Sequence, residues 1–89
     1  MVILNSISQL DVIQFNMFMN EERSLLRLQL TDLIEGTYSV EIVLANNRYI
    51  QNVSIKPTEE FYRVCNAWFR KRGIILEWNN LKTIAWAKN

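Results

Sequence analysis

The chain has 89 residues, of which 49% are hydrophobic and 21% charged, and its net charge at pH 7 is +1. This composition excludes intrinsic disorder, and the length predicts one domain over residues 1–89 with a modest core. The small net charge excludes a strong overall attraction to nucleic acid or to acidic membranes, so binding of that kind would need a local patch of charge.

The N-terminal third predicts a β-hairpin. Residues 1–9 fit either an edge strand or a loosely held arm. Residues 12–19 and residues 24–31 then alternate in polarity, with a polar break between the two runs. Alternation with a period of two indicates strands. The leucines of residues 24–31 would also suit a helix, but their spacing fits a period of two better than one of 3.6.

A second hairpin is predicted around the Asn-Asn step at residues 46–47, because Asn tolerates the positive φ that a two-residue turn needs. Residues 38–45 and 48–55 would be its strands. The turn sets the pairs Leu44–Tyr49, Ile42–Gln51, Val40–Val53 and Tyr38–Ile55. One face of this hairpin is apolar and the other mostly polar, as expected of an antiparallel sheet that is covered on one side.

Residues 58–72 are predicted to form the helix that covers this sheet. Thr58 suits the N-cap position, and Glu59 and Glu60 place negative charge in the first turn, where the helix macrodipole favours it. Gly73 suits the position after the helix end. The apolar residues follow the helical spacing and form one stripe of Phe61, Val64, Cys65, Trp68 and Phe69.

A last hairpin is predicted around the Asn-Asn step at residues 79–80, with Glu77 directly opposite Lys82. The element order is then ββββαββ. We therefore expect an α+β fold with a single antiparallel sheet of five to seven strands and one helix packed on one face. A small barrel closed by the helix is the alternative.

Residues that carry catalytic chemistry are scarce. The chain has no histidine and one cysteine, so it lacks the commonest general base and the ligands of a Cys/His zinc site. Its two glycines are isolated and form no phosphate-binding loop. The acidic pairs at residues 21–22 and 59–60 suit a turn and a helix start, and Cys65 suits a buried inert thiol. We expect no enzyme, no cofactor and no metal site.

The expected location is the cytoplasm. A single cysteine, Cys65, makes no intramolecular disulfide, so the fold does not depend on an oxidising compartment. The first residues lack the basic start of a secretory signal. No apolar run approaches the roughly 20 residues of a membrane-spanning helix, so no membrane contact is expected.

The terminal hairpin suggests a function in protein binding. It places Ile75, Ile84 and Trp86 on a face that the predicted helix does not reach, and either the N-terminal segment or a partner would cover them. We expect a small non-enzymatic binding module that acts as a homodimer, as an adaptor or as an inhibitor of a larger assembly. The predicted protein interface consists of Ile75, Glu77, Lys82, Ile84 and Trp86.

The alternative function is the binding of single-stranded nucleic acid on the sheet and on the basic end of the helix. The candidate residues are Tyr62, Arg63, Arg70, Lys71 and Arg72. Cations hold phosphates, and an aromatic ring stacks on unpaired bases. Cations also belong in the last turn of any helix, so the same residues are explained by capping alone.

Overall fold

The computed structural model describes residues 6–32, 38–46, 48–50 and 55–88. In chain order its elements are α1 (Gln9–Glu21), β1 (Leu26–Asp32), β2 (Tyr38–Leu44), α2 (Glu59–Arg70), β3 (Leu76–Trp78) and β4 (Ile84–Ala87). The strands form one antiparallel sheet in the order β1-β2-β4-β3. An α+β fold with one antiparallel sheet is therefore confirmed. The predicted order ββββαββ and its five to seven strands do not match, because the described part is αββαββ with four strands.

The largest correction concerns residues 12–19, which form a helix and not a strand. The Ser8 side chain accepts the N–H of Asp11 at 3.1 Å, and the Asp11 carboxylate accepts the N–H of Ser8 at 3.0 Å. This reciprocal capping box starts α1. The strand prediction was wrong because α1 carries apolar side chains on its solvent side as well as on its buried side, which removes the contrast of a helical period.

The predicted strand at residues 24–31 is confirmed as β1, but its partner is β2. In this register Leu30 lies opposite Val40, and on the other edge of β2 Val40 lies opposite Ala85. Both edges of β2 are therefore occupied at Val40, and its predicted partner Val53 lies outside the described residues. Of the predicted second strand, residues 51–54 lie outside the described residues, and Tyr49 forms an isolated bridge with Val43.

The helix predicted at residues 58–72 is confirmed as α2. Thr58 is its N-cap, and its hydroxyl accepts the N–H of Phe61 at 3.2 Å. Gly73 follows the last turn with a φ of +80°, the left-handed conformation in which glycine has no Cβ penalty. The local signals at both ends of this helix were sufficient to place it.

The terminal hairpin has a longer turn than predicted. The Asn79 side-chain oxygen accepts the N–H groups of Thr83 at 2.8 Å and Ile84 at 3.1 Å, and Lys82 takes the left-handed conformation with a φ of 55°. Glu77 consequently lies opposite Trp86 and not opposite Lys82. The predicted Glu77–Lys82 pair is wrong.

Both helices pack on the same face of the sheet, which we call the inner face. Phe15 of α1 is fully buried at the centre, with its ring centroid 5.3 Å from that of Trp68 and 5.6 Å from that of Phe69. Below these rings the inner residues of the strands complete the core, which includes Leu26, Leu28, Val40, Ile42, Ala85 and Ala87. The aromatic cluster thus joins α1 to α2.

The helix and the first strand of the two halves of the fold correspond with an offset of 50 residues. The N-caps are Ser8 and Thr58. The residues of positive φ after the helices are Arg23 and Gly73, and the next N–H in each half donates to a carbonyl in the last turn at 3.0 Å. The first strand of each half begins at Leu26 and at Leu76. Each half is a helix-hairpin unit, and the two units meet at the centre of the sheet, where β2 and β4 are antiparallel neighbours.

Candidate functional site

The face of the sheet opposite the two helices is the candidate site, and we call it the outer face. The strand register places four of its residues in one row across the sheet, in the order Thr31, Ser39, Trp86 and Glu77. The neighbouring row contains Gln29, Glu41 and Ile84. Both described helices cover the inner face, whereas on the outer face Ser39 and Val43 are fully buried and Ile84 and Trp86 are half-buried, so this side of the sheet is partly exposed.

Trp86 lies in the middle of the outer face and is half-buried. Its indole N–H donates to the Glu77 carboxylate at 3.3 Å, which orients the ring. On its other side lies Ser39, which is fully buried and whose hydroxyl donates to the Thr31 carbonyl at 3.3 Å. Trp86 is therefore held in position, and its side chain remains partly exposed.

Four of the five residues predicted as an interface lie on the outer side. Ile84 lies opposite Glu41, and Ile75 is 57% exposed one residue before β3. Lys82 lies elsewhere: its carbonyl accepts the Tyr62 hydroxyl at 2.7 Å, and its Nζ is 5.7 Å from the centre of the Tyr62 ring. Lys82 therefore belongs to the helix side of the turn.

Glu41 is a residue of this surface that sequence reasoning did not assign to the site. It is half-buried on β2, and burial raises its pKa. Together with Glu77 it brackets Trp86 and Ile84 with carboxylates. The Arg27 guanidinium forms no ion pair with either carboxylate and donates instead to the carbonyls of Ser24 and Leu26 and to Asn20. The alternation of β2 does place Glu41 on the polar face, but its position beside Ile84 depends on a strand pairing that no local signal reveals.

Replacing Glu41 by glutamine is expected to stabilise the protein at pH 7 and to have little effect near pH 4. Burial raises the Glu41 pKa above its usual 4.5, so the folded state binds this proton more tightly than the unfolded state does. The stabilising contribution of the protonated carboxyl is complete below pH 4.5 and is lost as the pH rises through the folded-state pKa. Thermal unfolding of both proteins at the two pH values measures the effect. An equal change at both would contradict it.

The alternative basic patch is only partly assembled. Tyr62, Arg63 and Arg70 line a groove of about 410 Å³ between α2 and the terminal hairpin, and Lys82 lines its other wall. Glu59 also lines the groove, and Arg63 pairs with Glu60. The groove thus contains cations of which one is already neutralised.

The other two basic candidates lie outside this groove. Lys71 is the C-cap of α2, and the Arg72 guanidinium lies 4.0 Å from the centre of the Trp68 ring. Stacking on an aromatic face stabilises a guanidinium without any ligand. Capping and stacking therefore account for Lys71 and Arg72.

The described residues offer no site for metal or thiol chemistry. They contain no group of three His, Cys, Asp or Glu side chains that could hold a metal ion. Cys65 is fully buried, and burial raises the pKa of its thiol to about 12, so the thiol stays protonated at neutral pH. Neither described helix is long and apolar enough to cross a lipid bilayer.

The fold and the outer face define a small α+β domain with a partly exposed sheet surface. No protein-family model, curated protein or solved structure matches the chain.

Proposed function

We propose that this protein is a small non-enzymatic binding module that contacts another protein through its outer face. The observation that carries the proposal is Trp86, an oriented and partly exposed indole at the centre of the outer face. Tryptophan is enriched among the residues that dominate binding energy at interfaces. Ile84 and Ile75 add apolar surface beside it. In this proposal the protein serves as an adaptor or as an inhibitor of a larger assembly.

The charges of the outer face favour a protein partner with basic residues. Glu41 and Glu77 flank the apolar centre, so an apolar segment bordered by Lys or Arg would match both the centre and the rim. The same carboxylates repel phosphate groups. A nucleic acid would therefore bind the groove that contains Arg70 and Lys82 and not the sheet, and this is the second candidate function.

Replacing Trp86 by alanine is expected to abolish the capture of a partner protein while the domain stays folded. An interface tryptophan of this kind contributes roughly 2 kcal/mol or more to binding. The tagged protein is expressed in its native host, captured proteins are identified, and the main one is titrated against the purified variants. Glu77→Lys should weaken binding as well, because it reverses a rim charge and removes the acceptor of the indole N–H.

Leu81→Ala is the matched control, because Leu81 is 74% exposed but lies in the turn away from the outer face. It should retain the partner. Equal binding by wild type and both outer-face variants would overturn the proposal. If Trp86→Ala unfolds the protein, partner binding by Glu77→Lys alone tests the proposal. Binding of a mixed-sequence oligonucleotide at low salt that is lost in Arg70→Ala would favour the second candidate.

A further inference from the structure

The solvent side of α1 carries three apolar residues in a row, which we call the α1 stripe. Leu10 is 60% exposed, Ile13 is 49% exposed and Met17 is 60% exposed. Their spacing of three and then four residues places them on one line along the helix, as in the contact seam of a coiled coil. The buried side of α1 is a different line of residues, consisting of Val12, Phe15 and Met19.

The second helix-hairpin unit shows that the fold does not require this stripe. With the offset of 50 residues, Leu10 corresponds to Glu60, Ile13 to Arg63 and Met17 to Ala67. These positions of α2 are equally exposed, and Glu60 and Arg63 form an ion pair there. The same place in the same supersecondary unit is therefore polar in one helix and apolar in the other.

The C-terminal ends of the two helices also differ, because the end of α1 is acidic and the end of α2 is basic. The last residue and the C-cap of α1 are Glu21 and Glu22, and its last turn has no basic residue. The corresponding residues after α2 are Lys71 and Arg72. A helix C-terminus carries partial negative charge, so carboxylates there are unfavourable and cations are favourable. Both features of α1, the stripe and the acidic end, are costly for an isolated domain.

We propose that α1 is the interface with a second copy of this chain, packed as an antiparallel pair of helices. An antiparallel neighbour covers the stripe and also places the acidic end of each α1 beside the N-terminus of the other, where negative charge is favoured. With the twofold axis next to Ile13, Leu10 of each copy contacts Met17 of the other. The copy of α2 does not fit this position, because its corresponding line is charged.

The acidic Asp11 near the helix start does not prevent this arrangement, because its carboxylate accepts both the N–H and the hydroxyl of Ser8 in its own capping box. The contact is one helix on one helix, so it belongs to the weak class of interfaces. The proposal is independent of the outer face, which lies on the other side of the sheet.

Sedimentation velocity over a range of concentrations tests the proposal. The wild type is expected to shift from monomer to dimer as the concentration rises to about 100 µM, as a weak interface predicts. The double variant Leu10→Glu with Ile13→Arg transplants the surface of α2 onto α1 and should remain a monomer. Leu81→Glu, which changes a more exposed leucine outside the stripe, should dimerise like the wild type.

A charge reversal at the C-terminal end of α1 distinguishes the proposed dimer interface from a general effect of surface charge. Glu21→Lys with Glu22→Arg gives α1 the same end as α2, so it should raise the melting temperature of the dilute monomer. The same change should weaken the dimer, because the new cations lie beside the partner's helix start. A change of both quantities in the same direction would contradict the antiparallel arrangement.

Single cysteines report the direction of the helices. Ile13→Cys should form a disulfide-linked dimer on mild oxidation, because the two residues meet at the axis. Leu10→Cys should not, because in the antiparallel pair the two copies of residue 10 lie about 10 Å apart along the helices, beyond the reach of a disulfide. Cys65 is buried and does not compete. Cross-linking of both variants, or a wild type that is monomeric at every concentration, would overturn the proposal.

Discussion

Replacing Phe15 by alanine is expected to lower the free energy of unfolding by about 3–5 kcal/mol, the usual cost of removing a buried aromatic ring. Phe15 is 0% exposed, and its ring contacts the rings of Trp68 and Phe69 on the other helix. Domains of this size have only about 5–15 kcal/mol of stability in total. The melting temperature should therefore fall by at least about 12 °C in thermal unfolding monitored by circular dichroism.

Met17→Ala is the matched control for Phe15→Ala. In a strand, Phe15 and Met17 would lie on the same face and both would be buried. In α1 they lie on different sides, and Met17 is 60% exposed. In dilute solution Met17→Ala should change the stability by no more than about 0.5 kcal/mol. Equal destabilisation by the two substitutions would contradict the helix and restore the strand.

Replacing Asn16 by alanine is expected to cost about 2 kcal/mol, because two hydrogen bonds to the backbone of one residue are lost together. The Asn16 side chain accepts the N–H of Leu28 at 2.9 Å and donates to its carbonyl at 2.8 Å. Leu28 lies on β1, an edge strand of the sheet. An amide that binds both polar groups of an edge residue also prevents another strand from pairing there.

The corresponding position in the second unit provides the control for Asn16→Ala. Asn66 accepts the indole N–H of Trp78 at 2.9 Å and thus holds α2 to β3 by one bond to a side chain. Asn66→Ala should cost only about 1 kcal/mol. Urea unfolding measures both values, and light scattering should show faster aggregation of the Asn16 variant alone. If the two substitutions have equal effects on stability and on aggregation, the prediction that Asn16 protects the β1 edge is wrong.

The sequence was sufficient where the signals are local. The limits of α2 follow from Thr58 at one end and Gly73 at the other, and both lie next to the residues that they cap. The pairing between the two units could not be predicted, because β2 pairs with β4 over a long separation and no spacing rule reveals such a partner. The longer turn at residues 79–83 arises from a side-chain acceptor, Asn79, that replaces backbone pairing.

The exposed apolar side of α1 explains the wrong strand prediction and is also the surface proposed to bind a second copy. A helix is recognised by the contrast between its buried and exposed sides. In α1 the exposed Leu10, Ile13 and Met17 remove that contrast, so the run appears to alternate. The capping signal of Ser8 and Asp11 was present and would have indicated a helix start.

The candidate surface was predicted better than the hairpin that carries it. The sequence predicts Glu77 opposite Lys82, whereas in the structure Glu77 lies opposite Trp86, a shift of four residues. An even shift keeps every side chain on its own face of the sheet. Ile75, Glu77, Ile84 and Trp86 therefore stayed together, whereas their neighbours Ser39 and Glu41 required knowledge of the pairing between β2 and β4.

The repeat of two helix-hairpin units also bears on how the chain folds. Contacts inside a unit are short-range, as between Asn16 and Leu28, which are 12 residues apart. The seam between the units joins positions as distant as Val40 and Ala85, which are 45 residues apart. Closing the long loop costs chain entropy before its contacts form. We therefore expect the hairpins to form early and the seam late, with β2 and β4 each presenting an unpaired edge to other molecules until the seam closes.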